Sequence, residues 1–162
     1  MTSILKVTEI QDPTNSNKAL EIDSTGRVLQ PQRPYILATP NADTTYSAAA
    51  VITDLAVRES RGITHSSGVF TVPRGGLYQI HLSLIAYDNG AGIYWRKNGT
   101  SQWRIGYSEN STDALWNNIG GSIVTELDAS DTISFVVQSS TRIYGHATDP
   151  NTVGQIHLLF LG

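Results

Sequence analysis

The chain has 162 residues, the size of one domain, and 40% of them are hydrophobic, which is enough for a sizeable core. Only 15% are charged and the net charge is −3, which excludes an electrostatic nucleic-acid binder. No apolar run approaches the roughly 18 residues of a membrane span, and the absence of cysteine excludes disulfides, thiolate zinc sites and thiol catalysis. We therefore expect no nucleic-acid partner and no membrane insertion.

Residues 1–33 predict an arm that lies outside the main core. Two short strand-like pieces, residues 4–10 and 19–22, are separated by polar turn residues, and a linker with Pro31 and Pro34 follows them. The start lacks the apolar centre of a signal peptide. So short a segment cannot bury a core alone, and its regular apolar spacing favours a docking arm over a frayed terminus. We place the boundary between the arm, residues 1–33, and a knob, residues 34–162.

The knob shows apolar–polar alternation with period two, which is typical of half-buried strands. In residues 77–86 the polar positions are Gln79, His81 and Ser83, so that face is predicted to meet water. Further strands are predicted at residues 51–57, 68–72, 93–97, 122–127, 132–138 and 156–161. No window sustains a helical period, and short strands separated by turns favour a sandwich or barrel. The fold class is therefore predicted to be all-β.

A long polar loop is predicted at residues 101–121, which are rich in Asn, Ser, Gly and Trp. Loops of that length often carry function. Aromatic rings among amide and hydroxyl groups are typical of surfaces that bind sugars or partner proteins. The candidate ligand-binding residues there are Trp103, Tyr107 and Trp116. Trp95, in contrast, alternates with polar neighbours in a predicted strand and is expected in the core.

A second candidate segment, residues 142–149, adds Arg142, Tyr144 and His146 to the predicted ligand-binding surface. Asn110, Asn117 and Arg142 can supply directional hydrogen bonds to a ligand. The alternative is that Trp103 and Trp116 fold inward and plug one end of the sandwich.

The knob contains, in this order, GVFTVP at 68–73 with GLY at 76–78, KNG at 97–99, LDASDTI at 127–133, IY at 143–144, and VG at 153–154 before the closing apolar run. These motifs resemble, in kind and in order, those of the globular head of complement C1q and its relatives. The resemblance covers residues 34–162 and implies a ten-stranded jelly roll, shared with tumour necrosis factor, that assembles as a trimer. Ser130 departs from the pattern, because that family usually has glycine there.

The last predicted strand, residues 156–161, is apolar on both faces. One face of an antiparallel strand in a monomeric sandwich normally meets water. A two-sided apolar strand therefore favours burial by a partner subunit, with cover by a loop as the alternative. The candidate trimer-interface residues are Tyr35, which follows a proline as in the resembled family, and His157, Leu159 and Leu161.

The arm contains KVTEI at 6–10, ALEIDSTGRV at 19–28 and a proline at 31. In these residues it is similar to the starts of small virion proteins of tailed phages, marine phages in particular. It implies a protein on the virion surface, on tail, fibre or capsid, with residues 1–33 bound to other virion proteins. Assembly in the bacterial cytoplasm agrees with the lack of cysteine, since disulfides do not form there.

Motifs for phosphate binding, zinc proteolysis, serine hydrolysis and dinucleotide binding are all missing, and the four histidines are widely spaced. We therefore predict no enzyme and no metal site. Asp128 and Asp131 flank a tight turn, where an Asx turn is favoured over calcium because that ion needs six to eight oxygens.

The function predicted from these observations is a non-enzymatic phage surface protein, a fibre tip or knob that recognises a host glycan or outer-membrane protein. The alternative is a capsid decoration or cement protein with the same trimeric knob and arm. The location of the protein on the particle would distinguish the two.

Overall fold

The computed structural model describes residues 9–11, 18–22, 24–29, 33–87, 91–108, 116–149 and 153–162. It divides into two compact units, residues 1–33 and residues 34–162. In the first unit three strands form one antiparallel sheet in the order β1-β2-β3, with β1 at Glu9–Gln11, β2 at Lys18–Ile22 and β3 at Val28–Leu29. The predicted strand at 19–22 thus coincides with β2, whereas residues 4–8 lie outside the described residues.

The knob is a sandwich of two antiparallel sheets, which confirms the all-β prediction. Its described residues form twelve strands, β4 to β15, where ten were predicted: Tyr35–Pro40, Ala42–Tyr46, Leu55–Arg61, Thr64–Ser66, Val69–Thr71, Gly76–Tyr87, Gly92–Lys97, Thr100–Tyr107, Trp116–Leu127, Thr132–Val137, Thr141–His146 and Gln155–Phe160. A five-stranded sheet has the order β11-β10-β13-β8-β7. A seven-stranded sheet has the order β5-β14-β9-β15-β4-β6, with β12 along the other edge of β9.

The hydrophobic core lies between the two sheets. The inward side chains of β9, which include Tyr78, Ile80 and Leu82, are at most 1% exposed, as the alternation predicted. Trp95 projects from the opposite sheet and is also 1% exposed, which confirms its predicted place in the core. The described part of the chain contains no helix long and apolar enough to cross a membrane.

The predicted loop at residues 101–121 is wrong, because β11 and β12 occupy most of it. Of the residues between these strands, 109–115 lie outside the described part. The backbones of β11 and β12, which belong to different sheets, approach closely: a Cβ at Gly121 would overlap the carbonyl oxygen of Ile105. Glycine is required at such an approach. Gly120 and Gly121 interrupt the apolar alternation, so the sequence pattern does not predict the first half of β12.

One predicted strand needs correction, and one candidate segment can now be placed. Residues 142–149 consist of β14, which runs through His146, and a short bend after it. The strand predicted at residues 51–57 is displaced to β6, Leu55–Arg61. The amide of Leu55 donates to the carbonyl of Thr53, a local turn that separates residues 51–53 from β6.

Two turns explain motifs of the C1q resemblance. Asn98 and Gly99, with φ of 51° and 76°, form the two-residue turn between β10 and β11, and two positive φ values match the right-handed twist of a hairpin. Ser130 has φ of 72° in the turn between β12 and β13. Its backbone therefore adopts the left-handed conformation that glycine favours, although its side chain is not that of glycine.

Candidate functional site

The outer face of the seven-stranded sheet carries most of the predicted site residues. Directly opposed residues on antiparallel strands project from the same face. The register aligns them in rows across β4, β15, β9 and β12. One row is Tyr35, Leu159, Gln79 and Val124, and the next is Leu37, His157, His81 and Ser122. The predicted interface residues of β4 and β15 are therefore neighbours on one surface.

The central patch is the group Tyr35, Leu37, His81, His157 and Leu159, all half-buried. The rings of His81 and His157 meet edge to face with centroids 5.7 Å apart. Burial, with a smaller contribution from His81, lowers the pKa of His157 below its usual 6.5. His157 is therefore neutral at pH 7, so that it adds no charge to this largely apolar surface.

Leu161, the remaining predicted interface residue, follows β15 and is 38% exposed. Its amide donates to the carbonyl of Leu77 over 2.8 Å, which ties the end of the chain to β9. Leu161 thus lies beside the central patch and beyond the end of its strand.

A second group lies on the same face, where β12, β9 and β14 run side by side. We call Ile85, Tyr87, Trp116 and Tyr144 the aromatic corner. Tyr87 is paired with Trp116 on one side and with Arg142 on the other. The Trp116 ring lies 5.1 Å from that of Tyr87 and 5.3 Å from that of Tyr144, at interplanar angles of 59° and 71°. These rings form the walls of an open corner.

The corner encloses a cleft of about 340 Å³ lined by Ile85, Trp116 and Tyr144. It lies where β9 changes neighbours, since β15 pairs with β9 up to Ser83 and β14 pairs with it from Ala86. Trp116 is 42% exposed, so this tryptophan does not plug the sandwich. The size is within the range of roughly 300–1,000 Å³ typical of small-ligand sites.

Arg142 is fixed at the rim of the corner. Its guanidinium lies 5.4 Å from the centre of the Trp116 ring and forms an ion pair with Asp43 of β5. The other carboxylate oxygen of Asp43 accepts the amide of Gly145 over 3.1 Å. Asp43 therefore balances the charge of Arg142 and also holds it in place.

The other predicted ligand-binding residues lie elsewhere. Trp103 and Tyr107 belong to β11, at the edge of the five-stranded sheet. Trp103 is 58% exposed, with its ring 5.8 Å from that of the buried Trp95, and Tyr107 lies 4.6 Å from the guanidinium of Arg104. The structure thus brings together Trp116, Arg142 and Tyr144 of the predicted set and separates the β11 aromatics from them.

His146 lies on β14 with Tyr144, but its Nδ1 accepts the amide of Asp149 over 3.0 Å and so closes the bend after the strand. Asn117 lies within β12, whereas Asn110 is outside the described residues. Sequence reasoning missed Tyr87 and Asp43. The alternation of β9, continued by one residue, would have placed Tyr87 on the outward face, but no local pattern marks Asp43 as a site residue.

In the acidic turn between β12 and β13, the carboxylate of Asp131 accepts hydrogen bonds from other groups of the protein. Asp131 accepts the amide of Asp128 over 2.7 Å, Asn98 Nδ2 over 2.6 Å and Lys97 Nζ over 2.7 Å. Burial opposes ionisation of Asp131, but the hydrogen bonds from Lys97, Asn98 and the Asp128 amide outweigh it and lower its pKa. This is Asx-turn chemistry. Within the described ranges, no three His, Asp or Glu side chains are grouped to hold a metal.

Solved structures share this fold. The chain is similar to Eiger TNF from S. frugiperda, with a TM-score of 0.64 and 15% identity over 81% of this chain and 94% of that one. It is similar to murine APRIL, with a TM-score of 0.62 and 14% identity over 80% of this chain and 99% of that one. It is similar to the globular domain of the zebrafish complement 1qA protein, with a TM-score of 0.61 and 13% identity over 79% and 96%.

These similarities confirm the C1q/TNF-like jelly roll predicted for the knob. No protein-family model matches the chain, and no curated protein matches it by sequence.

Proposed function

We propose that this chain is a non-enzymatic phage virion surface protein whose trimeric knob recognises the host surface. The exposed aromatic corner is the observation that carries the proposal, because large aromatics and arginine are the residues that most often anchor binding. They stand here on three paired strands, so little conformational entropy is lost when a ligand binds. The phage-like motifs of residues 1–33 support the arm as the attachment to the particle.

The central patch supports assembly as a trimer. Proteins with this fold usually trimerise. The patch offers a partner Leu37, Leu159 and the Tyr35 ring together with a neutral imidazole at His157. Covering these side chains removes apolar area from water. The guanidinium of Arg61 on β6, 5.5 Å from the centre of the Tyr35 ring, marks the charged border of the patch.

A trimer built on the central patch leaves room for ligand binding at the aromatic corner. His81 and Tyr87 are six positions apart on β9, which corresponds to about 20 Å along the strand. A partner seated on the patch can therefore leave the corner open. Three corners on one trimer raise the avidity for a multivalent host surface by as much as about 10²–10⁴.

Electron microscopy of particles labelled with gold-conjugated antibodies to residues 34–162 tests the proposal. Label at the tail tip or fibre end is the expected result. A regular label over the capsid would instead favour the decoration or cement protein. Particles without label would contradict both roles.

The arm is tested separately. A chain that begins at Pro34 should fold and trimerise, because residues 34–162 form a compact unit of their own. It should fail to join particles, because it lacks the proposed attachment arm. The full chain is the control. Normal incorporation of the shortened chain would show that the arm is not the attachment.

A further inference from the structure

We infer that the aromatic corner binds a neutral sugar ring of a surface glycan. The inference rests on the proposed function, because it names the ligand class of the same site. It follows from the shape of the corner, from its charge balance and from the hydrogen-bonding groups on its rim.

The shape of the corner suits one pyranose unit. A hexose has a face made of C–H groups, which packs on an indole ring, and a rim of hydroxyl groups. The exposed Trp116 ring supplies the platform, and the tilted Tyr144 ring supplies a side wall 5.3 Å away. The cleft of about 340 Å³ is near the lower end of the range for small-ligand sites, and so it fits a sugar unit better than a folded peptide segment.

The charge balance of the corner favours an uncharged ligand. An ammonium ligand on the Trp116 ring would meet the guanidinium of Arg142, which lies 5.4 Å from the ring centre, and the two positive charges would repel each other. A carboxylate or phosphate would meet the carboxylate of Asp43, which already compensates the charge of Arg142 and is held by the Gly145 amide. An ionised ligand of either sign therefore meets a like charge at the corner.

The rim offers hydrogen-bonding groups that hydroxyls can use. A guanidinium has five N–H donors, and the pair with Asp43 leaves donors of Arg142 for a ligand. The carboxylate of Asp43 remains an acceptor for a neighbouring hydroxyl. A donor and an acceptor fixed side by side match the paired hydroxyls of a sugar ring, each of which can both donate and accept.

The experiment uses the full-length protein on an array of neutral and acidic glycans, followed by calorimetric titration with the best neutral ligand. We expect saturable binding to neutral hexose-containing glycans. Trp116→Ala and Tyr144→Ala should each weaken it at least tenfold. Tyr94→Ala is the matched control, because Arg104 lies 5.7 Å from the Tyr94 ring on the five-stranded sheet, outside the corner. It should bind normally.

Three results would overturn the inference: no glycan binding, retention of acidic glycans alone, or equal binding by wild type and Trp116→Ala. Thermal melts of each variant separate lost binding from lost folding, and Tyr144→Ala gives an independent reading of the site. If the protein binds host cells and free neutral sugar does not compete, the sugar inference fails and host recognition stands. If neutral glycans bind but host cells do not, the site stands and the attachment role fails.

Discussion

The central patch and the aromatic corner share one face of one sheet but differ in construction. The patch lies where β4, β15 and β9 run in continuous register, and its side chains are half-buried. The corner lies farther along β9, beside β14, and Tyr87 and Trp116 there are 38% and 42% exposed.

The difference arises from the length of β9. This strand has twelve residues, and β15 pairs only with its first part, whereas β14 pairs with its last two residues. The continuous ladder lies beneath the proposed assembly surface. The change of neighbour lies at the cleft that Ile85, Trp116 and Tyr144 line. One strand thus carries residues of both proposed surfaces.

The largest expected effect is on assembly. Light scattering on the purified protein should give about three times the 17.6 kDa chain mass. Leu159→Glu should dissociate or unfold the trimer, because a buried, unpaired carboxylate costs about 3–5 kcal/mol. Tyr144→Glu is the control and should remain trimeric.

A wild-type monomer at micromolar concentration would contradict the trimer. If Tyr144→Glu dissociates the trimer and Leu159→Glu does not, the subunit interface lies at the corner and not at the central patch.

Acid should lower the stability of the knob through two partly buried histidines, of which His157 lies in the patch. Burial lowers the pKa of both His157 and His65 in the folded protein. The unfolded chain therefore binds more protons below its ordinary histidine pKa of about 6.5, and stability falls as the pH drops through that value. Urea unfolding midpoints should be constant from about pH 7 to 8 and fall from about pH 6.5 to 5.

His157→Gln should reduce this fall, whereas Gln79→Ala, which changes an uncharged side chain on the same face, should not. The lowered pKa of Asp131 adds a further loss only as the pH falls below 3.8. An equal response of both variants would contradict the assignment to His157.

A change remote from both regions should alter stability alone. Ser130→Gly relieves a left-handed conformation at φ of 72° and should raise the free energy of unfolding by about 0.5–1 kcal/mol. Ala129→Gly, in the same turn, should not. Trimer mass and glycan binding should stay unchanged in both variants. A lower urea midpoint for Ser130→Gly would show that the serine side chain stabilises the turn.

A corner variant should lose far less stability than a core variant. Trp116→Ala should lower the free energy of unfolding by about 1–2 kcal/mol, because the side chain is 42% exposed but loses its ring contacts with Tyr87 and Tyr144. Trp95→Ala, a change of the same kind in the core, should cost about 3–5 kcal/mol. Chemical unfolding of both measures the contrast. A loss of several kcal/mol for Trp116→Ala would make the corner a packing site.

The sequence predicts several strands that hold no glycine beyond their first residue. β9 was found from its alternation, and β13 and β15 were found to within one residue at each end. The first half of β12 was missed because Gly120 and Gly121 stand where other backbones pass closely. That requirement comes from a strand far away in sequence, so no local pattern reveals it.

The sequence predicted several residues of the candidate site but not which of them lie close together in the fold. Trp116, Arg142 and Tyr144 were identified as binding candidates, but nothing local separates them from Trp103. That separation depends on which sheet each strand joins. The ion pair of Arg142 with Asp43 spans 99 positions and depends on the pairing of β14 with β5.

The position of β4 has a mechanical consequence. It is the first strand of the knob after the arm, and it is paired with β15 on one edge and β6 on the other. Any force applied to the chain before Pro34 enters the knob through β4. Two ladders of hydrogen bonds then hold this strand, whereas an edge strand is held by only one. Under the proposed function, tension between particle and host would reach the knob at a strand that is secured on both edges.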